Sequence, residues 1–148
     1  MKKILLTLPL LVILLTAFAP APPEIAIIVN KENTSDKLSA GEVKLYWLRK
    51  IKKRWPDINK NIKPVDRKTS CSEQEVFYAT VLGMSASDIE TYFTQKQYES
   101  AEKPQDKFPS DAAIIDFVAD EPGAIGFVNI GSLSADAKAK VKVVLTIQ

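Results

Sequence analysis

The stretch SDAAIIDFVADEPGAIGFV, Ser110 to Val128, reads as a helix that turns directly into a strand. Ser110 is placed to cap the helix, which runs from Asp111 to about Asp120. Ile114, Ile115, Phe117 and Val118 follow helical spacing and form its inward stripe. Pro122 and Gly123 end it. Ala124 to Val128 is short and apolar, which fits a strand. Glycine inside a strand marks a bulge or a close backbone approach, and packing is the simpler reason for Gly123 and Gly126. Alternation of helices with buried strands defines the α/β class.

The same alternation extends toward both termini. Ile25 to Val29 is a continuous apolar run between proline and asparagine, which suits a strand buried on both faces of a parallel or mixed sheet. Ser39 and Glu42 form a capping box, with Leu38 stapled onto Val43. Val43, Tyr46, Trp47 and Lys50/Ile51 continue that helix. Lys52 to Lys63 contains Pro56 and reads as a loop anchored on the core by Trp55. Ile62 to Asp66 is a second strand, and a helix from Ser72 to Leu82 ends at Gly83. Ser72 with Glu75 predicts a second capping box, and Ser85 or Ser87 caps a helix to about Gln97. Val76, Phe77, Thr80, Val81, Ile89, Tyr92 and Phe93 read as core stripes. Ser100 to Pro109 is charged and irregular, and Val141 to Ile147 is a last strand. The expectation is a mixed sheet of about four strands flanked by about four helices.

The chain of 148 residues opens with Lys2, Lys3 and the uncharged run Ile4 to Phe18. That pattern, with Ala17-Phe18-Ala19 as a small-x-small site, reads as a secretory signal over residues 1–19. A Pro-rich linker follows at 20–24, then a domain over 25–148. Pro20 directly after Ala19 is a poor fit to a peptidase that binds an extended chain, so slow cleavage, a shifted site and a retained membrane anchor all stay open. A periplasmic or secreted location is the expectation. Removing Lys2 and Lys3 brings the formal charge of +2 to zero, which gives no argument for nucleic acid as a partner. The charge is nonetheless bipolar. Lys37 to Lys68 holds 11 basic and 3 acidic residues, and Thr69 to Pro122 holds 3 basic and 11 acidic. Either two solvated faces or a docking surface accounts for that.

With no histidine, triads and zinc sites built on that residue are excluded. No metal, cofactor or catalytic set is expected. Cys71 is the only cysteine, so no intrachain disulfide forms; a small packing residue against Val76 is the simpler reading of it.

The sign of the charge changes within PVDRKTSCSEQEVF, Pro64 to Phe77. A helix start presents unpaired N–H groups and partial positive charge. Arg67 adds a planar fork, Lys68 a second cation, and Thr69, Ser70 and Ser72 add hydroxyl donors. This set is a candidate oxyanion site; an ordinary helix cap is the other reading.

Four segments add a resemblance. IAIIVNKEN, LSAGEVKLYWLRKIKKRWPD, IKPVDR leading into a helix with EVF, and DEPGAIGFVNIGSL resemble, in order and spacing, the substrate-binding proteins of phosphate ABC transporters and their short, single-domain relatives. The resemblance covers most of Ile25 to Leu133 and implies one lobe of a type II periplasmic-binding-protein-like fold. It also implies a phosphate-like oxyanion as ligand, bound without chemistry, and an ABC permease as partner. The family's ligand loop reads Arg-Ser-Asp-Gly-Ser-Gly-Thr. Here only Arg67 is kept: Lys68 stands at Ser, Thr69 at Asp, Ser70 at Gly, Cys71 at Ser, Ser72 at Gly and Glu73 at Thr. The family's Gly-Lys-Gly region is replaced by Gln97 to Lys103. An alternative follows from these departures: an interaction module that keeps the lobe, has lost the ligand, and pairs with an envelope protein or a second copy.

Overall fold

The computed structural model describes residues 18–50 and 53–148. The signal reading lies, up to residue 17, outside the described residues, as does Ile51 of the first helical stripe.

Strand β1, Ile25–Asn30, is buried along its whole length because two cores meet on it. Its side chains alternate with the strand period of two. Ile25, Ile27 and Val29 join one apolar cluster, with Trp47, Phe77 and Phe127. Ala26 and Ile28 join the other, with Val65, Ile114 and Val118. The described residues form a five-stranded sheet in the order β3-β2-β4-β1-β5, where β2 is Lys63–Arg67, β3 Asp106–Phe108, β4 Ala124–Asn129 and β5 Val141–Ile147. β2 runs parallel to β3 and β4, while β1 is antiparallel to β4 and β5. The sheet is therefore mixed, as expected for a strand covered on both sides.

Helices α1 (Ala40–Trp47), α2 (Ser72–Phe77) and α3 (Ala86–Ser100) supply the first core, and α4 (Asp111–Asp120) and α5 (Ala135–Lys140) the second. The Ser39–Glu42 capping box forms on α1, and Ser85 with Asp88 forms one on α3. Ser110 caps α4 as its sequence suggests. Within the first core the Phe77 and Phe127 rings stack at 4.5 Å, and Trp47 lies 4.7 Å from Phe77.

Several expectations need correction. The charged segment Ser100 to Pro109 is not wholly irregular, because β3 pairs there in register with Val65, Asp66 and Arg67. An edge strand of three residues needs no apolar alternation, and charges at such an edge discourage further pairing. α5, six residues capped by Ser134, is an additional helix. α1 ends at Trp47 rather than continuing past Lys50, with Arg49 in the left-handed region at φ 51°. α2 is α-helical only to Phe77; Tyr78–Leu82 form a wider π-type turn closed by Gly83 at φ 61°. Its cap is Cys71, without a side-chain bond, so the Ser72–Glu75 capping box does not form. Thr80 is exposed rather than part of the core stripe.

The Pro122-Gly123 break does more than end a helix. Trp55 is buried and its indole N–H donates to the Gly123 carbonyl at 2.9 Å, with the Tyr46 ring tilted 35° against it at 4.4 Å. A Cβ at Gly123 would stand 1.9 Å from the Asn61 carbonyl oxygen. At Gly126 it would stand 2.8 Å from methyl groups of both Ile114 and Val65. Both glycines are thus packing sites. Gly123→Ala has no room without moving backbone, and a loss of about 2–4 kcal/mol is expected in denaturant unfolding. Gly41→Ala, in α1 with its nearest contact at 4.0 Å, should instead stabilise by about 0.5–1 kcal/mol.

Candidate functional site

Asp66 is the last but one residue of β2 and is fully buried. Three donors surround its carboxylate: the Arg67 backbone N–H at 2.7 Å, Gln74 Nε2 at 2.9 Å, and the Tyr78 hydroxyl. Gln74 Nε2 also reaches the Arg67 carbonyl at 3.3 Å. One buried carboxylate therefore ties the end of β2 to α2 and to the π-type turn. Burial first, and the Asp66 charge second, push the Tyr78 hydroxyl well above its ordinary value, so it stays a proton donor across the accessible range.

The pleat of β2 sorts the following residues. Val65 packs with the α4 layer and Asp66 faces α2, so Arg67 returns to the α4 side. There its Nη1 pairs with Asp111 Oδ1 at the start of α4. Asp111 Oδ2 accepts from the Asn129 N–H at 3.0 Å and from Ser132 Oγ at 2.7 Å. Asn129 Nδ2 in turn donates to Glu73 Oε1 at 3.2 Å. The ends of β2 and β4, the start of α2 and the start of α4 thus form one polar cluster.

The predicted ligand residues fall unevenly around it. Arg67 is half-buried and ion-paired, while Lys68, Thr69, Ser70 and Ser72 are exposed. The Lys68 N–H is occupied by the Phe108 carbonyl at 2.8 Å. Ser72 Oγ contacts Glu73 Oε2 at 3.3 Å. Arg67, Lys68 and Ser70 also border a groove of about 450 Å³ on the α3 side of the loop; Thr69 and Ser72 do not. Burial tends to raise the Glu73 carboxyl, but its own backbone N–H, Asn129, Cys71 and Ser72 lower it further, to a net value below the usual 4.5. Glu73 is thus an anion at the helix start, where it complements the dipole. Burial raises the Cys71 thiol above its usual value, which lowers its thiolate fraction and agrees with a packing role.

Among the described residues no group of histidine, cysteine, aspartate and glutamate could hold a metal ion. Asp66, Tyr78, Asp111 and Asn129 were not singled out by sequence reasoning. Asp111 carries a local signal, an acid in the first turn of a capped helix, but its pairing with Arg67 spans 44 residues and has none.

No protein family matches the chain, and no curated protein does. Solved structures do. An ABC-type phosphate transport receptor from Vibrio cholerae superposes with a TM-score of 0.62 at 21% identity, over 82% of this chain and 45% of the receptor. A possible phosphate binding protein from Planctomyces limnophilus gives 0.60 at 17%, over 83% and 42%. PstS from Borrelia burgdorferi gives 0.58 at 15%, over 82% and 47%. The chain spans less than half the length of each of these three structures. Its fold is that of one lobe of a periplasmic-binding-protein-like receptor. The resemblance to phosphate transport receptors noted in the sequence holds at the level of fold.

Two outcomes test the geometry. Tyr78→Phe removes one donor from a buried carboxylate and should destabilise by about 1–3 kcal/mol in denaturant unfolding. The pH dependence has a defined sign. Glu73, Glu102 and Glu121 all lie below the usual 4.5 in the folded chain, the last two chiefly through hydrogen bonds from Lys53 and Lys63. Their stabilising contribution is present above the unfolded value and is lost as pH falls through the folded values. Stability should hold roughly level from about pH 7 to 5 and fall below about 4.5, and Glu121→Gln should flatten part of that fall.

Proposed function

We propose that the chain binds a phosphate-like oxyanion at the Arg67–Ser72 loop, without chemistry, as a component exported to the cell envelope. The observation that carries this reading is the Arg67 guanidinium, held by Asp111 beside the start of α2 in a fold shared with phosphate transport receptors. A guanidinium has five donors, so a carboxylate on Nη1 leaves others for a ligand. Lys68, Thr69, Ser70 and Ser72, the residues that follow it in the loop, are exposed and carry donors. Transfer to an ABC permease fits this reading, as does a periplasmic location reached through the leader at residues 1–19. No helix among the described residues is long and apolar enough to cross a membrane.

Charge at the loop is balanced. Arg67 and Lys68 face Asp111 and Glu73, and Asn129 couples the two acids into the cluster. A site with that balance, open to water on one lobe, binds with modest affinity that falls as salt rises. The same balance favours one other reading, a ligand-free module that docks a protein partner or a second copy through this edge. A stable dimer in light scattering together with no anion binding would support it.

Calorimetric titration of the full chain with phosphate and then sulfate decides between them. The oxyanion reading expects saturable heat that weakens as salt rises and a Kd at least about tenfold higher in Arg67→Ala, since a charge-assisted hydrogen bond is lost. A flat trace from folded protein, or binding unchanged in Arg67→Ala, would reject the site.

A further inference from the structure

The strands place the Arg67 loop at the end of the sheet where the chain enters the domain. β2 and β4 are parallel, with Lys63 opposite Ala124, so both finish at that end. β1 is antiparallel to β4 and starts there, with Ile25 opposite Asn129. The Ile130 N–H donates to the Glu24 carbonyl at 2.9 Å and holds the last residue before β1 at this end. Asn129 is also the residue whose N–H meets Asp111, the partner of Arg67. Only β4 separates β1 from β2, so the entry point and the end of β2 lie roughly 10 Å apart. Arg54, Lys60 and Lys63 lie around the start of β2, toward the other end.

The segment before β1 is short and stiff. Residues 20–24 include Pro20, Pro22 and Pro23, and at about 3.1 Å per residue they reach about 15 Å. Phe18 is 96% exposed, and Ala19 to Pro22 are exposed too, so the domain leaves them in solvent. Ahead of them stands the uncharged run of 15 residues, Ile4 to Phe18, behind Lys2 and Lys3. Pro20 disfavours its cleavage, and an uncleaved leader anchors the domain. The run is short for a span of about 17–25 residues, and a short span draws its flanks to the bilayer surface. The tether then sets the Arg67 loop close to the lipid headgroups.

Charge selects the anion. Arg67 and Lys68 are balanced at the loop by Asp111 and Glu73. A net charge near zero suits one negative charge better than two. A lipid phosphodiester carries one, while a phosphate with two ionisable oxygens approaches two. The tether also offsets modest affinity, because a short linker raises the local headgroup concentration to roughly millimolar.

We propose, on the basis of the oxyanion reading of the loop, that the anion held by Arg67 and Lys68 is the phosphodiester of an anionic phospholipid, presented by the membrane in which the uncleaved leader is anchored.

The test follows backbone amide signals by NMR in the full chain, held in phosphatidylcholine nanodiscs with a rising fraction of phosphatidylglycerol. Signals of Lys68 to Ser72 should shift saturably with that fraction, and those between Arg54 and Lys60 should not. Arg67→Ala should weaken the response about threefold or more, and so should Lys68→Ala, which changes an exposed residue. A flexible Gly-Ser segment of about 20 residues inserted between Pro23 and Glu24 should weaken it as well, since a longer tether lowers the local headgroup concentration. The proposal is overturned if the loop signals ignore phosphatidylglycerol, if both substitutions leave the response intact, if the Arg54 to Lys60 signals move instead, or if the chain recovered from cells has lost residues 1–19. Inorganic phosphate titrated into pure phosphatidylcholine discs separates the two readings. Loop shifts with phosphate but none with phosphatidylglycerol reject the lipid source and leave the oxyanion reading standing, while silence toward both rejects both.

Discussion

The buried carboxylate of Asp66 is the constraint on which the loop and both of its faces depend. A carboxyl group this deep is tolerated only when partners surround it, and three donors do so here: a backbone N–H, an amide and a phenol. Satisfying it pins the end of β2 to α2 and starts the π-type turn at Tyr78. With Asp66 turned inward, the strand period sends Arg67 to the opposite face, where Asp111 meets it. A single side chain thus separates a cationic fork on one side of the sheet from a mixed groove on the other.

Charge is distributed by the same folding. The basic segment Lys37 to Lys68 and the acidic segment Thr69 to Pro122 are linked by four ion pairs among the described residues. Lys53 lies 2.7 Å and Arg49 3.7 Å from Glu102, Lys63 lies 2.7 Å from Glu121, and Arg67 pairs with Asp111. The bipolar pattern is therefore partly consumed inside the molecule, rather than displayed as two faces of opposite sign. The part-exposed Lys63–Glu121 pair stabilises by only about 0–1 kcal/mol, so its main effect is on the field left over. That remaining field at the loop is small, and a ligand there must rely on hydrogen-bond geometry more than on steering.

Much of the fold was legible because it rests on local signals. Ser39 with Glu42, Ser110, Gly83 and the all-apolar Ile25 to Val29 each act within a few residues, and each forms what its chemistry predicts. Trp55 before Pro56 was readable as an anchor, although nothing local names Gly123 as its acceptor. The misses have non-local causes. β3 exists because β2 offers it an edge, and α2 is capped from Cys71 while Glu73 reaches Asn129 across the sheet ends. Arg67 and its neighbouring hydroxyls were legible as candidates by residue type. Asp66, Tyr78 and Asp111, which set what the loop can do, gain their roles only from partners distant in sequence.

The central claim is that the Arg67 guanidinium, held by Asp111, still offers donors to an oxyanion. A crystal structure of the full chain grown with phosphate tests it most directly. The account predicts an anion within hydrogen-bond reach of the Arg67 guanidinium and of a hydroxyl from Ser70 or Ser72, with the Asp111 pair intact. A well-ordered loop with Arg67 closed on Asp111 and no anion beside it would contradict the account.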